Sequence, residues 1–392
     1  MEFKMITQQT LPQVLDLWDY CFEKKEEAFF QWYFEQYCLK NNLVLGGFSE
    51  SDGHLMNMLH LNPYKVQLRG REEAMPYIVG VATAPEDRGS HLMAPLLEMA
   101  FQVLLNEHFR FAFLMPAFAG IYLPYGFAFC YYKHLYDLPL QTFSGWNGDQ
   151  GVTLKRVPLE GGYFASVYTA WQGKYHGMPV RTEFQWQKLL AVHQLEGVQA
   201  AVTLQENEIT GYMFYLVKDE VFTIQELLSL NDSAKKALLG FAAGHMSSAE
   251  KLCWEAAADD LTYLDFRDAE VSGRLKPFMM ARCLDARGAL QDLKPSLDWP
   301  EGECNLLLTD SFLQRNNHLL NLSFGREGFK VASTTAAEDV VMDMGAFTQL
   351  YFGAFTLEEL ADAGKAKIKQ MDKAYFLQAL FPKRVHYINE YF

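Results

Sequence analysis

Residues 77–105 constrain the fold more than any other stretch, because three local patterns follow one another there. The apolar, β-branched run Tyr77–Thr83 ends before Pro85 and predicts a buried strand. A basic turn at Arg88-Gly89 follows, and the segment beyond it has the apolar spacing of an amphipathic helix. Backbone amides at a helix start after a strand can hold an anion, usually a phosphate, and an arginine there adds positive charge. The stretch therefore predicts an anion-binding strand–turn–helix unit.

Two residues bear on whether that turn binds an anion. Histidine at position 91 fits positive φ angles and close approach of the backbone to a ligand less well than glycine. His91 either tolerates the left-handed region, as histidine does better than most residues, or crowds the site. Pro95 would delete a helix hydrogen bond beyond the first turn, so the helix should start at His91 or later. An ordinary strand–turn–helix connection without a ligand is the alternative.

Length and composition predict a globular chain of several domains. With 392 residues, the chain is long enough for two or three domains. Half of the residues are hydrophobic and 15% are aromatic, which is sufficient for well-filled interiors. No apolar run reaches the ~18 residues of a membrane span, and the first residues lack the profile of a signal peptide. We therefore expect a soluble, cytoplasmic protein with no membrane partner.

Charge and residue spacing argue against several classes of function. The formal charge of −14 disfavours nucleic acid, whose phosphates need a basic face, and mildly favours cationic substrates such as polyamines. The six cysteines include no C-x-x-C pair, which predicts free buried thiols rather than disulfides or zinc. The ten histidines show no metal-binding spacing, so we expect no metal site.

The first part of the chain, residues 1–142, has the pattern of a mixed α/β domain. The predicted strands are 3–6, 43–48, 55–68 with a break at Pro63, 77–83 and 111–115. The predicted helices are 10–22, 28–37 and 92–106, and a short turn or helix at 121–125 leads to a final strand. Thr10 and Gln13 have capping-box spacing at the start of the first helix. This alternation predicts a central sheet covered by helices.

A second domain is expected over residues 143–286, after a glycine-rich polar segment at 143–151. Its predicted strands are 211–217 and 221–227. A helix capped by Asn231 or Asp232 follows, so the pattern of the first domain is partly repeated. This copy lacks an arginine–glycine turn, and the charge of Asp232 would repel a phosphate at the helix N-terminus. We expect it to be structural and to line an acceptor cleft.

A third domain is expected over residues 287–392. Its predicted strands are 304–309, 318–324 and 329–333. Thr356 and Glu359 have capping-box spacing at the start of a helix that Gly364 should end. The ending Tyr391-Phe392 predicts a docked chain end, because free tails are usually short of aromatic residues.

Taken together, these motifs resemble those of the Eis-type (enhanced intracellular survival) branch of the GNAT acetyltransferases. The similarity covers essentially the whole chain. It is strongest in G-V-A-T-A-P-E-D-R-G, G-I-Y-L-P-Y-G-F, F-M-M-A-R-C-L-D, D-M-G-A-F-T-Q-L-Y-F-G and the ending L-F-P before an aromatic C-terminus. The resemblance implies an α/β (α+β) fold: two tandem GNAT-like mixed-sheet domains, the second degenerate, and a sterol-carrier-protein-like α+β domain.

The resemblance also implies an acetyl-CoA-dependent N-acetyltransferase and roles for individual residues. Tyr122 would be the general acid, and the terminal carboxylate of Phe392 the general base or amine anchor. The implied cofactor-binding residues are Val81, Ala82 and Thr83 for the pantetheine arm and Arg88, Gly89, Ser90, His91 and Leu92 for the pyrophosphate. His91 and Met93 depart from the R-x-x-G-x-G loop usual in the family. A symmetric homo-oligomer, a hexamer, is implied as well.

Acyl transfer from a thioester to an amine has three chemical requirements. The amine must lose a proton, the oxyanion must be stabilised, and the leaving thiolate must be protonated. A tyrosine hydroxyl of pKa ~10 suits a thiolate leaving group of pKa ~8.5. A terminal carboxylate of pKa ~3.5 is a poor base in water, but beside a buried amine it can orient that amine and accept its proton. Backbone amides of residues 81–83 would stabilise the oxyanion, and no cysteine nucleophile is needed, so Cys130 is expected in the core.

Each candidate also has a purely structural interpretation. Tyr122 is one of twenty tyrosines and could serve packing alone. Phe392 could dock to bury its ring, which is worth ~1.5–3 kcal/mol. The aromatic cluster within residues 29–34 is typical of a core, although its faces would also suit a cation. Glu390 could hold an amine, and a solvated charge is the commoner outcome.

Two functions from different classes therefore stay open. The first is an acetyl-CoA-dependent N-acetyltransferase that acts on an amine: a polyamine, an aminoglycoside-like molecule or a lysine side chain. The second is a non-catalytic scaffold that binds a lipid or a partner and keeps a vestigial CoA site. His91 in the turn favours the second function.

Overall fold

The structure is a computed structural model that describes residues 1–268 and 273–391. The chain forms two compact units. Unit 1 comprises residues 1–130, 278–384 and the chain end from Glu390, and unit 2 comprises residues 131–277 and 385–389.

Strands and helices alternate over much of the chain, as predicted. The strands are β1 (Glu2–Met5), β2 (Leu43–Phe48), β3 (Leu55–Asn62), β4 (Lys65–Leu68), β5 (Arg71–Ala74), β6 (Tyr77–Thr83), β7 (Phe111–Leu114), β8 (Ala128–Pro139), β9 (Thr153–Val157), β10 (Met178–Pro179), β11 (Gln199–Gln205), β12 (Glu208–Lys218), β13 (Val221–Ser229), β14 (Lys251–Ala257), β15 (Arg274–Cys283), β16 (Gly302–Thr309), β17 (His318–Gly325), β18 (Gly328–Ser333), β19 (Val340–Asp343) and β20 (Ala366–Ile368). The helices are α1 (Leu11–Cys21), α2 (Ala28–Trp32), α3 (Met93–Asn106), α4 (Ala165–Lys174), α5 (Glu183–Leu195), α6 (Asp232–Ala243), α7 (Ala286–Gln291), α8 (Met344–Phe352), α9 (Leu357–Asp362) and α10 (Met371–Leu380).

The first sheet of unit 1 has the strand order β1–β2–β3–β6–β7–β15. Neighbouring strands are antiparallel, except that β6 and β7 run parallel. On one face, Leu59 and Ile78 belong to an apolar core shared with Leu97 and Phe101 of α3. On the other face, the core includes residues of α1 and of the aromatic segment after it. The predicted mixed α/β domain with a helix-covered sheet is confirmed.

The aromatic segment 28–37 is helical, as predicted, and contributes to that second core. It runs as α2 and then as a π-helical turn, Tyr33–Tyr37. Tyr33 is fully buried, and its ring centroid lies 5.0 Å from that of Trp18 and 5.8 Å from that of Phe29. The rings therefore stabilise the α1 side of the sheet.

The capping box expected at Thr10 and Gln13 is wrong. Thr10 Oγ1 accepts a hydrogen bond from the amide of Thr7 at 2.9 Å and makes no side-chain cap. The Gln13 side chain instead accepts from the amide of Leu55 at 2.6 Å and donates to the carbonyl of Gly53 at 3.3 Å. A tertiary contact with the β2–β3 turn has replaced the local one that the spacing favours.

The sheet of unit 2 has the strand order β8–β14–β13–β12–β11–β9. The Asn231 side chain accepts from the amide of Ala234 at 2.8 Å, so Asn231, one of the two predicted residues, caps α6. Asp232 lies in the first turn and pairs with Lys236 at 2.8 Å. An occupied cap and an acidic first turn make this helix start unsuitable for a phosphate.

Sequence reasoning missed several elements of unit 2, including α4, α5, β11 and β14. Helix α5 buries polar as well as apolar side chains, among them Lys188 and His193 beside Trp186 and Leu189. Its buried residues therefore do not form the single apolar stripe on which helix prediction depends.

The second sheet of unit 1 lies towards the end of the chain and has the strand order β18–β17–β16–β19–β20. The capping box at Thr356 and Glu359 is confirmed: each side chain accepts from the backbone amide of the other, at 3.0 and 2.8 Å. Gly364, two residues beyond the last residue of α9, has a φ of +70°. The predicted strands of this region are present within two residues of their expected starts.

The cysteines are free thiols, as expected, but two are not buried. Cys38, Cys130, Cys283 and Cys304 are buried, whereas Cys21 and Cys253 are half-exposed. Burial raises the pKa of the Cys130 thiol, which agrees with a place in the core. Within residues 1–268 and 273–391, no helix has the length and apolar character needed to cross a membrane.

Candidate active site

The site begins where strands β6 and β7 part. Their parallel register joins Tyr77 to Phe113 and Ile78 to Leu114, where β7 ends. Strand β6 continues to Thr83 and keeps its other neighbour, β3, along that length. Beyond Ile78, the main-chain groups of β6 that face the β7 side have no β7 partner. They are therefore accessible to a ligand with amide groups.

A backbone irregularity lies at the parting point. The register between β3 and β6 shifts between Met58 and His60, and Gly80 on β6 has a φ of +58°. A Cβ atom at position 80 would overlap the ring of Trp18 and lie 3.1 Å from His60 Cδ2. Glycine is therefore required there, both for the φ angle and for space.

The turn before α3 exposes backbone amides. Gly89 has a φ of +82° and His91 a φ of +57°, so His91 adopts the left-handed conformation directly. Helix α3 begins at Met93, and Pro95 is its third residue, so the expectation of a late helix start is confirmed. No side chain caps the helix. The amides of the first turn therefore point at whatever occupies the space before it.

Asn57 attaches this turn to the sheet. Its Nδ2 donates to the carbonyl of Leu92 at 2.9 Å, and its Oδ1 accepts from the amide of Gly47 at 3.1 Å. Asn57 is 1% exposed. Sequence reasoning missed this residue, although an amide between two methionines of a predicted strand was an available signal.

Arg88 brings positive charge to the same turn. Its side chain is exposed, and its Nε donates to the carbonyl of Thr83 at 3.3 Å. Gly89, Ser90 and His91 are exposed beside it. Positive charge beside the uncapped start of α3 is an arrangement that fits a pyrophosphate.

Tyr122 lies between two short 3₁₀ turns, Ala119–Ile121 and Leu123–Tyr125. It is 7% exposed, and its ring meets that of Phe127 edge-on at 5.9 Å. Burial raises the pKa of Tyr122 to about 12, so its hydroxyl keeps its proton at neutral pH.

One apolar cluster brings the separate parts of the site together. Tyr122 and Leu114 belong to this cluster, and Val81 and Met93 pack against it. The strand, the turn before α3 and the tyrosine are thus on the α3 side of the first sheet of unit 1. These residues come from the segments that sequence analysis selected.

A buried polar network lies on the opposite side of this sheet. The Tyr33 hydroxyl is 2.9 Å from His60 Nδ1, and Asn42 Nδ2 donates to that hydroxyl and to Asn62 Oδ1, both at 2.9 Å. Burial lowers the pKa of His60 to about 3, so this imidazole is neutral. Sequence reasoning selected Tyr33 only as part of the aromatic cluster and did not select His60, Asn42 or Asn62.

Glu390 is also buried in unit 1, at 4% exposure. The hydroxyl of Tyr64 donates to Glu390 Oε2 at 3.2 Å, and the Tyr64 ring meets those of Tyr77 and Phe113 edge-on, each at 5.8 Å. The expectation of a solvated charge is therefore wrong, because the chain end docks and excludes water from this carboxylate. Phe392, whose carboxylate was assigned a catalytic role, lies outside the described residues.

Comparisons with known proteins agree with this geometry. Residues 2–130 match a family model described as an acetyltransferase (GNAT) domain, and residues 177–283 match a second model with the same description. This chain belongs to the GNAT acetyltransferases. Residues 282–389 match the sterol carrier protein domain, so the GNAT acetyltransferase has the Eis-type order of domains.

Solved structures share this fold over most or all of the chain. A conserved protein of unknown function from Enterococcus faecalis V583 aligns with a TM-score of 0.87 at 23% identity, covering 100% of this chain and 99% of that one. A GCN5-related N-acetyltransferase from Anabaena variabilis aligns at 0.84 and 20%, covering 100% of both chains. Eis1 from Mycobacterium abscessus aligns at 0.71 and 17%, covering 89% of this chain and 90% of that one. The sequence matched none of the curated proteins.

Proposed function

We propose that this GNAT acetyltransferase transfers an acetyl group from acetyl-CoA to the amine of a small molecule or a lysine side chain. The observation that supports this most is the parting of β6 from β7 beside the uncapped start of α3. Free strand amides suit the amide-containing pantetheine arm, and free helix amides suit the pyrophosphate. Val81, Ala82 and Thr83 would bind the first group, and Arg88 to Leu92 the second.

The reaction would be a direct transfer in a ternary complex. The amine nitrogen attacks the thioester carbonyl, the carbon–sulfur bond breaks, and amides of residues 81–83 stabilise the intermediate oxyanion. Tyr122 donates its proton to the departing thiolate. The proton lost by the amine passes to a carboxylate of the chain end, for which we propose Phe392. If so, a residue added after Phe392 should lower turnover more than it lowers acetyl-CoA affinity.

Charge supports a proposal about the acceptor. The chain carries a formal charge of −14, and Glu390 places a carboxylate among the rings of Tyr64 and Tyr77 in unit 1. Carboxylates and aromatic faces both favour a protonated amine. We therefore propose a cationic amine as the acetyl acceptor.

Calorimetric titration with acetyl-CoA tests this proposal, with His91→Gly as the matched variant. One site per chain and similar affinity for both proteins would support an intact site, since His91 already adopts the angle that glycine would provide. Acetyl transfer to polyamines, aminoglycosides and lysine peptides is then measured through the release of the free thiol of CoA. Absence of binding in the natural protein, restored by glycine, would contradict the proposal and favour a scaffold with a vestigial CoA site.

A further inference from the structure

A buried ion pair of unit 1 lies outside the acyl-transfer chemistry described so far. Arg282, in the F-M-M-A-R-C-L-D segment, bonds Asp310 Oδ2 through Nη2 at 2.7 Å, and the two side chains are 0% and 2% exposed. Asp310 also accepts from the amides of Phe312 and Leu313, at 3.0 and 2.9 Å, and from Asn316 Nδ2 at 2.9 Å. The carboxylate is therefore held by several donors at once.

The second terminal nitrogen of the Arg282 guanidinium contacts the turn that carries Tyr122. Its Nη1 donates to the carbonyl of Tyr125. Gly126, the next residue, has a φ of +77°, and a Cβ atom there would overlap the same Nη1. The guanidinium thus lies directly against the backbone at the end of the turn, at a point where only glycine leaves room for it.

Short hydrogen-bonded turns connect that point to Tyr122. The amide of Tyr125 donates to the carbonyl of Tyr122 at 3.0 Å, and the amide of Gly126 donates to the carbonyl of Leu123 at 3.0 Å. Aromatic contacts support the same segment: the ring of Phe312 meets that of Tyr125 edge-on at 4.9 Å. A shift of the Tyr125 carbonyl would therefore move the backbone of Tyr122.

Stability alone is a weak explanation for this pair. Removing two charges from water often costs as much as their attraction returns, and apolar replacements of similar volume are often neutral or stabilising. The Nε of Arg282 is also buried without a hydrogen-bond partner among the described residues, which lowers the stability of the folded state. What an apolar pair could not provide is a donor aimed at the Tyr125 carbonyl.

We propose that Arg282 and Asp310 are positioning residues that set the place of the Tyr122 hydroxyl by fixing the turn at Tyr125. This inference rests on the proposed role of Tyr122 as proton donor. It assigns a task in acyl transfer to Asp310, which lies within the sterol carrier protein match rather than in the first acetyltransferase match.

A double-mutant cycle of Arg282→Lys and Tyr122→Phe tests the inference on the full-length protein. A lysine ammonium can reach either the carboxylate or the carbonyl, but it lacks the planar fork that joins both. We expect Arg282→Lys to lower kcat by about tenfold, as a small misplacement of a reacting group does, with little change in KM for acetyl-CoA. In the Tyr122→Phe background the same substitution should have no further effect on kcat.

Arg110→Lys is the matched control. Arg110 is also in unit 1 and pairs with Asp285 at 2.6 Å and Asp292 at 2.8 Å. Both of these partners lie outside the turn that carries Tyr122, so the substitution of Arg110 should leave kcat unchanged. Equal loss of kcat in the Arg282 and Arg110 variants would overturn the inference. The inference would also be overturned if Arg282→Lys lowered kcat by the same factor in the natural protein and in the Tyr122→Phe variant.

A second variant covers the case in which Arg282→Lys does not fold. Asp310→Asn keeps the size of the side chain but removes the charge that pairs with Arg282, and it should show the same loss of kcat only when Tyr122 is present. A thioester with a less basic thiol needs less help from an acid, so it should reduce the defect of either variant. An unreduced defect would overturn the inference. If Tyr122→Phe itself keeps full kcat, the proposed role of Tyr122 as proton donor is wrong. This result differs from the outcomes that would overturn only the role of Arg282 and Asp310.

Discussion

At the scale of single residues, burial decides what Tyr122 and Lys133 can do. The two side chains are 7% and 1% exposed. Burial favours the neutral form of each group, so it raises the pKa of the tyrosine to about 12 and lowers the pKa of the lysine to about 8. The two pKa values shift in opposite directions because tyrosine is charged when deprotonated and lysine when protonated. Each of the two shifts can be tested.

Tyr122→Phe should lower kcat by about 100-fold, the scale of a lost general acid, and should leave the acetyl-CoA dissociation constant nearly unchanged. Because the pKa of Tyr122 is about 12, the natural enzyme should show no loss of kcat from this group between pH 7 and 10. Steady-state kinetics over that pH range check both statements. A falling limb near pH 9 that disappears in the variant would contradict the assigned pKa.

Lys133 should make stability depend on pH. It donates to Asn389 Oδ1 at 2.7 Å and pairs with Glu255 at 3.2 Å in unit 2. An unfolded lysine titrates near ~10.4, so between pH 8 and 10 the unfolded chain binds more protons than the folded one. The cost of burying the charge is therefore complete below pH 8 and decreases as pH rises.

Urea unfolding of the natural protein and of Lys133→Met at several pH values measures this effect. We expect the free energy of unfolding of the natural protein, relative to the variant, to increase from pH 8 to pH 10. Lys276→Met is the control, because Lys276 pairs with the same Glu255 at 2.6 Å but is exposed. An unchanged difference between pH 7 and 10 would show that Lys133 is not titrating with a lowered pKa.

At this scale, sequence reasoning selected residues whose position within a motif is informative. Arg88, Gly89 and Tyr122 stood in recognisable segments. Asn57 did not, because its role depends on a neighbour far along the chain, Leu92. Glu390 was named as a possible amine holder, but its burial depends on the equally distant Tyr64. An isolated polar residue in a sequence does not reveal its partner.

At the scale of elements, the site depends on how β6 leaves the sheet. The strand was predicted with its observed limits, Tyr77–Thr83. Its apolar run says nothing about the register shift opposite Met58 and His60 or about the parting from β7. These features arise from pairing with other strands, and pairing is a property of the folded chain.

Gly80→Ala tests the importance of the irregularity. A methyl group would overlap the ring of Trp18, and alanine is disfavoured at a φ of +58°. We expect a lower melting temperature and a loss of acetyl-CoA binding, measured by calorimetry on protein that still folds. Gly89→Ala is the comparison for the melting temperature, since its φ is +82° but nothing lies within 4 Å of an added Cβ. If both variants lower the melting temperature equally, lack of space at position 80 is not the cause.

At the scale of the whole molecule, the order of domains is the most secure result. Two acetyltransferase matches and a sterol carrier protein match follow one another along the chain. The domain limits at residues 142 and 286 stay predictions. The structure instead divides the chain into two units, because the first acetyltransferase domain and the C-terminal domain share one compact body.

Assembly is a further prediction at this scale. The resemblance to Eis-type enzymes implies a symmetric hexamer, so light scattering should give about six times the chain mass of 44.9 kDa. Measurement over a range of protein concentrations separates a stable assembly from weak association. A constant mass of one chain would contradict the prediction.

The sequence alone determined the fold class, the order of domains, the strand–turn–helix unit at 77–105 and the segment that carries Tyr122. The strand–turn–helix unit is a local pattern, and local patterns survive in the linear chain because periodicity and turn residues act over short distances. The order of domains and the choice of the Tyr122 segment came from motifs that resemble those of a known family. The tertiary structure alone decided the parting of β6 from β7, the burial of Glu390 and the contact of Arg282 with the Tyr125 carbonyl. Each of these joins residues that are far apart along the chain, and only packing brings them within hydrogen-bonding distance.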